Sequence, residues 1–494
     1  MKRAPAGRHI SENKLYCPVL LSAIFHFLLA VMLLSAALAQ SPAQPPEIPA
    51  GRNAQFPAAA AETHITQAQA DELFRSVDQI LAFASRDSGL PIRRPVKRAL
   101  VSREQAMKYI QGRMGNDQDA QRLQRSALVL KKFGLLPSNF DLQAFLLALL
   151  REQVAGYYDP KAKTVNLLDW VDADIQKPVL AHELTHALQD QDSNLDHWLK
   201  DGPPSEKKDP DVQDDEAVAA RQAVSEGQAM VVLTDYELEP MGKTILDAPE
   251  IVAAMKAGVT SGSPIFESAP LYIKDSLAFP YTYGLDFERM LLQKKGKEAA
   301  FAEVLQHPPL NTREVMQPAV YLAGEHLPPL HPPKLEKVLG KSWQKIDVGA
   351  VGEFDISVMV EQYASEEAAR QVWPQWRGGY YYATRQKNAP PGNLSLLYFS
   401  QWAVPEQATK FAGIYARSLK KKYKQVQAVG GSRPASSPAS AGVQVSIADA
   451  TTQWNTEDGP VFVEPHGQFV LVMEGFDTAT ASKLRDAVLP ATAQ

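Results

Sequence analysis

The chain has 494 residues, 45% of them hydrophobic and 22% charged, and a formal net charge of −5 at pH 7. That length is more than one hydrophobic core supports and predicts two or three domains. The mild acidity, with no basic stripe in any region, argues against nucleic acid or an anionic membrane surface as a partner.

Lys2, Arg3, Arg8 and Lys14 precede an apolar run over residues 19–38, and Ala37-Leu38-Ala39 ends it with a small-x-small pattern. This predicts a signal peptide over 1–39 and an exported protein, periplasmic or extracellular. The run is also long enough to span a bilayer, so the alternative is an N-terminally membrane-anchored form. Cys17, the sole cysteine, would leave with the signal, and the mature chain would then contain neither a disulfide nor a thiolate metal site. Residues 40–60, rich in Pro and Ala, read as a linker.

Residues 61–150 read as a helical region. Leu73, Val77, Ile80 and Leu81 recur at helical spacing, Ser102 to Gln105 has the form of a capping box, and 119–133 is amphipathic up to Gly134. Residues 141–150 are apolar almost all round and predict a buried helix. A strand, a turn at 159–163 and a second strand follow at 154–168. This hairpin is either purely structural or an edge that accepts an extended peptide.

Next comes Val179-Leu-Ala-His-Glu-Leu-Thr-His-Ala-Leu-Gln-Asp-Gln191. Helical residues four apart share a face, so His182 and His186 can grip one zinc ion from a single turn, with Glu183 beside them as a base. Pro178 fits a first-turn position of this helix. A catalytic zinc takes three protein ligands. His197 sits in a polar, loop-like stretch and reads as a surface residue. The better third ligand is Glu226, on a helix capped by Asp214 or Asp215. It lies among Ala219, Ala223, Ala229 and Met230, where an isolated carboxylate is costly unless paired or bound to a cation. An Arg or Lys partner is the alternative, and Asp190, Asp214 and Glu237 are weaker ligands. Gly227, inside that helix, implies close packing against the helix that carries His182 and His186.

Tyr281 and Tyr283, ahead of a helix expected over 285–293, are candidate catalytic donors to an oxyanion, against a purely packing role. His307 and His326 have no assigned role. Pro-rich 328–333 marks a boundary. Beyond it strands and helices alternate: 353–360 then 366–376, 394–402 then 405–422, 460–474 then 478–488. This predicts a C-terminal α/β domain over 341–494, an antiparallel sheet with helices on one face. Trp373, Trp376, Trp402 and Tyr380 to Tyr382 read as core rather than ligand surface, and 430–441 as a loop.

The run His182-Glu-Leu-Thr-His-Ala187, with Asp190 after it, is similar to the active-site helix of thermolysin-like peptidases. With Glu226 on a later helix, residues 154–233 resemble a gluzincin, the zincin class with two His and one Glu. The resemblance implies His182, His186 and Glu226 as Zn2+ ligands and Glu183 as the catalytic base. It departs at Met230, where thermolysin-like enzymes carry an Asp that orients a ligand His. Asp190 or Asp235 would have to supply that support. The wider gap between His186 and Glu226 is accounted for by a charged insertion over 200–215.

Together these readings predict an α+β protein. A mainly helical zincin-like catalytic domain over 151–335, with a short β-hairpin or sheet, precedes the smaller C-terminal domain. The expected function is that of an exported zinc metallopeptidase acting on a peptide or protein substrate. The alternative is a catalytically silent zincin-like scaffold whose C-terminal domain binds peptide, glycan or a partner protein. An aminopeptidase would need a site for the free amine, and no stretch identifies one. Nothing in the chain specifies an oligomeric state.

Overall fold

The computed structural model describes residues 64–489, apart from 115–116, 154–155, 203–214, 261–263, 391 and 430–451. The expected signal, the linker, Asp214 and the 430–441 loop lie outside the described residues. Among those residues, no helix is long and apolar enough to cross a membrane. The architecture is α+β: a mainly helical part with a small mixed sheet, then a seven-stranded antiparallel sheet.

Helix α1 (Gln67–Ser88) starts in a capping box, with Thr66 and Gln69 exchanging side-chain and backbone bonds. Its Leu73, Val77, Ile80 and Ala84 are buried at helical spacing. Strand β1 (Lys97–Val101) leads to α2 (Arg103–Met114), where Ser102 and Gln105 form the predicted reciprocal cap. Helices α3 (Asp117–Phe133) and α4 (Leu142–Gln153) follow, and Leu146, Leu149 and Leu150 of α4 are fully buried.

The hairpin forms as β2 (Tyr157–Asp159) and β3 (Thr164–Leu168), paired antiparallel. β3 also pairs in parallel with β1, giving the order β1-β3-β2 and leaving β2 at the edge. Helix α5 (Ala173–Ser193) carries the two histidines. It begins earlier than Pro178 suggests, because the Asp172 carboxylate accepts the Asp174 N–H and caps it. Pro178 therefore lies inside the helix, where it forgoes one backbone bond. Gln176, also on α5, grips both the N–H and the C=O of Leu168 at the end of β3. Short α6 (Leu195–Asp201) follows, then α7 (Asp215–Leu238) and α8 (Pro249–Thr260).

Helix α9 (Leu271–Lys295) differs from its expected bounds. It runs through Pro280 instead of starting after Gly284, so Tyr281 and Tyr283 are helical. The lost bond at Pro280 is offset by the long packing of α9 along α7. There the two backbones meet at glycines. A Cβ on Gly227 would sit 2.3 Å from the Gly284 carbonyl oxygen, and one on Gly284 2.2 Å from that of Ala223. Gly227 thus marks close packing, but against α9 rather than against α5 as its position implied. Gly284→Ala gains about 1 kcal/mol of intrinsic helix propensity. It loses more, because a backbone carbonyl yields only if the whole helix moves, and overpacking of this kind costs roughly 1–3 kcal/mol or above. Urea denaturation should show net destabilisation, and a stabilised variant would contradict this packing.

One hydrophobic core runs from Leu73 to Val358, so α1, the small sheet, α5, α7 and α9 bury their apolar faces together. After α10 (Thr312–Met316) the second sheet begins with β4 (Trp343–Ala350). Residues 353–360, expected as a strand, instead form helix α11 (Glu353–Tyr363). Both sides of this helix are apolar. Phe354 and Val358 join the first core, whereas Ile356, Met359 and Val360 join a second. That double burial imitates strand alternation in the sequence.

Then come α12 (Glu366–Val372), β5 (Trp376–Gln386), β6 (Ser395–Trp402) and α13 (Pro405–Lys422). β7 (Val426–Ala428), β8 (Gln453–Thr456), β9 (Gly459–His466), β10 (Phe469–Glu474) and α14 (Thr478–Val488) complete the chain. The sheet order is β4-β5-β6-β10-β9-β8-β7. Helices cover both faces rather than one. Phe411 and Tyr415 of α13 pack with Tyr381 and Tyr398, and Leu484 and Val488 of α14 with Tyr380 and Tyr382. Trp376, Trp402 and Tyr380 to Tyr382 are core residues, and Trp373 packs partly buried against both cores. Phe133 of α3 sits edge-on to Tyr381 and Tyr398, so this N-terminal helix also touches the sheet.

Candidate metal centre

α5 and α7 cross so that His182, His186 and Glu226 face one another. His182 Nε2 is 3.1 Å from Glu226 Oε2, His186 Nε2 is 3.5 Å from that oxygen, and the two Nε2 atoms are 3.0 Å apart. The rings are nearly perpendicular. All three side chains are fully buried, and Glu183 is 2% exposed. Among the described residues this is the group of His and acid side chains that could hold a metal ion.

The tautomer of His186 is set from behind. Gln189, three residues on and hence on the same helical face, gives its Nε2 to the Ser225 carbonyl at 3.0 Å and to Gln228 Oε1 at 2.8 Å. Its Oε1 therefore faces His186 Nδ1, at 2.8 Å. An acceptor there requires a proton on Nδ1 and leaves the Nε2 lone pair for a metal. Gln228 is held in turn by the Ala300 carbonyl at 2.7 Å. The expected supports do other work. Asp190 accepts from Tyr158 Oη, Lys163 Nζ, Arg94 and Leu195 N, tying the hairpin to α5. Asp235 accepts the Ile245 N–H. If Gln189 orients His186, Gln189→Leu should weaken metal binding by about 10–100-fold, and Gln189→Glu should weaken it too, because its second oxygen would face two acceptors, the Ser225 carbonyl and Gln228 Oε1. Chelator competition measures both, and unchanged affinity in a folded Leu variant would remove Gln189 from the site.

Burial disfavours charge on His186, but Glu226 and Glu183 beside it outweigh that and push it up to about 9. The pocket is thus electrostatically suited to positive charge, which a divalent ion supplies without a proton. Burial pushes Glu183 up to about 7, with His186 and the Tyr158 N–H opposing and Glu226 adding. Glu183 Oε2 accepts that N–H at 2.7 Å. The bond fixes the carboxylate and shows that Tyr158 N points towards the site instead of towards β3.

Tyr281 is fully buried on α9, with its ring centroid 6.4 Å from that of His182. Burial, the charges of Glu226 and Glu183, and a hydrogen bond to Glu226 hold its hydroxyl protonated well above the usual phenol range. Tyr283, two residues on and so on the far side of the helix, packs against Phe279 and neighbours Asp275 and Asp286. The structure brings Tyr281 to the triad and not Tyr283. Arg221, the basic residue of α7 nearest Glu226 in sequence, bonds the Leu199 and Lys200 carbonyls. His197 is at the surface near Asp201, and Glu237 is exposed.

No protein-family model, curated protein or solved structure matches this chain. What is established of the centre is therefore its geometry: a buried H-x-x-x-H pair and a distant Glu that can hold a metal ion.

Proposed function

We propose that the protein is an exported zinc metallopeptidase of the gluzincin type, with His182, His186 and Glu226 as ligands and Glu183 as general base. The observation that carries this reading is the convergence of two imidazole nitrogens and one carboxylate oxygen, with a second carboxylate alongside. Tetrahedral zinc with bonds of 2.0–2.2 Å spaces its donors roughly 3.3–3.6 Å apart. The observed 3.0–3.5 Å fits after shifts of a few tenths of an ångström. Two nitrogens and one oxygen suit zinc and leave a fourth position open.

Bound there, zinc would polarise a scissile carbonyl and lower the pKa of water. Glu183, held by the Tyr158 N–H, would take a proton from water and return it to the departing amine. Tyr281, kept protonated beside the same point, is the better placed of the two tyrosines to donate to an oxyanion. The edge position of β2, whose Tyr158 is bonded to Glu183, supports an extended peptide running past that residue. Export rests on the charged and apolar stretches that open the sequence.

The test uses the zinc-loaded full chain and unstructured casein. Cleavage that a chelator abolishes and added zinc restores is the expected result. A zinc-bound chain that leaves casein and a diverse peptide library intact would favour the silent scaffold instead.

A further inference from the structure

A cavity of about 150 Å³ lies between α3, α7, α9 and α11, and its lining on α7 ends at Gln222, about one helical turn before Glu226. Cavities of about this size admit a molecule as large as benzene. Its walls are apolar, with Leu123, Val129, Phe279 and Phe354 among them. Its polar groups are few. Glu216 Oε2 accepts from the N–H of Thr312 at 3.0 Å and its hydroxyl at 2.7 Å. Asp355 accepts from Tyr272 Oη and Gly352 N, each at 2.8 Å. Neither carboxylate has a cationic partner among the described residues. Both are partly buried and line the cavity. Burial and the nearby Asp355 push Glu216 up to about 7, against the Thr312 bonds, as expected for two acids facing each other without a cation.

Gln222 also lines the cavity. It is 2% exposed, and its Nε2 has no hydrogen-bond partner. Glu216, Ala219, Gln222 and Glu226 follow one another at steps of three and four on a single face of α7. Glu216 stands about 15 Å of helical rise from the ligand Glu226, and the cavity is lined along that interval as far as Gln222. Two acceptors at one end, an unsatisfied donor part-way along and an apolar channel between them describe a receptor for a long aliphatic stem with a cationic head. The Gln222 amide then meets a carbonyl of the chain that carries that stem. A lysine or arginine side chain has this form.

We propose that this cavity binds a lysine or arginine side chain of the peptide substrate, with Glu216 and Asp355 receiving its charge. Calling the ligand a substrate rests on the peptidase reading above. The head gains charge-assisted hydrogen bonds from carboxylates that the fold has already taken out of water.

The zinc-loaded full chain is titrated calorimetrically with n-pentylammonium and, separately, n-pentanol. The ammonium should bind saturably and at least tenfold more tightly. Glu216→Gln should reduce its affinity about tenfold, and Ala219→Phe, which fills the cavity and leaves both acids in place, should abolish it. Equal affinity for amine and alcohol, or undiminished amine binding in both variants, overturns the proposal. A second arm uses peptides identical except for Lys, Arg, norleucine or Glu at each position around the cut. Hydrolysis without preference for Lys or Arg refutes the pocket and leaves the peptidase reading intact. Amine selectivity with no hydrolysis of any peptide refutes the peptidase and leaves the pocket standing.

Discussion

Glu183→Gln should retain zinc and lose about 10²–10⁴-fold in turnover, the usual worth of a positioned general base. The amide keeps the shape of the side chain and an oxygen that can accept the Tyr158 N–H, now made by Oε2 at 2.7 Å. What it cannot do is take up a proton. Because none of the three triad donors changes, zinc content should stay near one per chain. The loss should fall on kcat, since a base acts in the transition state and contributes little to ground-state binding. Steady-state kinetics beside metal analysis read both quantities. A fully active Gln variant would remove Glu183 from the chemistry.

Glu226→Ala should have the opposite signature, with a modest loss of stability in the metal-free protein and a large loss of zinc binding. In the absence of metal, Glu226 is a carboxylate with no solvent exposure, held against two histidines. Its removal leaves imidazoles that can become neutral rather than a stranded charge, and takes an acceptor from the buried Tyr281 hydroxyl. The metal-free fold should therefore lose about 1–3 kcal/mol for that hydroxyl, less than the roughly 3–5 kcal/mol of breaking a buried pair whose partner stays charged. Zinc affinity should fall by more than the 10–100-fold typical of a supporting residue. Thermal unfolding separates the two effects. Zinc at a thousand times its Kd stabilises the native protein by about 4 kcal/mol, and a variant that no longer binds at that concentration shows no shift. A metal-free variant that unfolds, or a full zinc-induced shift in Glu226→Ala, would contradict the role given to this residue.

The triad was legible before any coordinates because it depends on a rule of local geometry. Residues four apart on a helix face the same way, and a lone acid on a small, apolar helix face needs a partner. Gly227 was legible for a related reason, since an interior helical glycine implies close approach. That the approaching backbone is Gly284, on a helix running through Pro280, was not, because packing along α7 overrides the local preference of proline.

The part played by Gln189 was hidden for a different reason. Its spacing from His186 is visible, but the direction of its amide is set by the Ser225 carbonyl, 36 residues away in sequence. A carboxylate such as Asp190 is a usual partner for a ligand His, but here Lys163, Arg94 and Tyr158 engage it. Helix α11 reads as a strand in the sequence because it is buried on both sides, which erases the single apolar stripe by which a surface helix is recognised. Tyr281 and Tyr283 were equivalent as sequence. Once both are helical, the roughly 200° between them sends one to the triad and the other away.

The proposed peptidase requires His182, His186 and Glu226 to bind one zinc ion together, and X-ray absorption on the zinc-loaded full chain reads that shell. The expected result is one zinc per chain with two imidazole nitrogens, one carboxylate oxygen and a further light atom at about 2.0–2.2 Å, and loss of one imidazole shell in His186→Ala. A zinc shell made of water oxygens alone, or one that His186→Ala leaves unchanged, would contradict it.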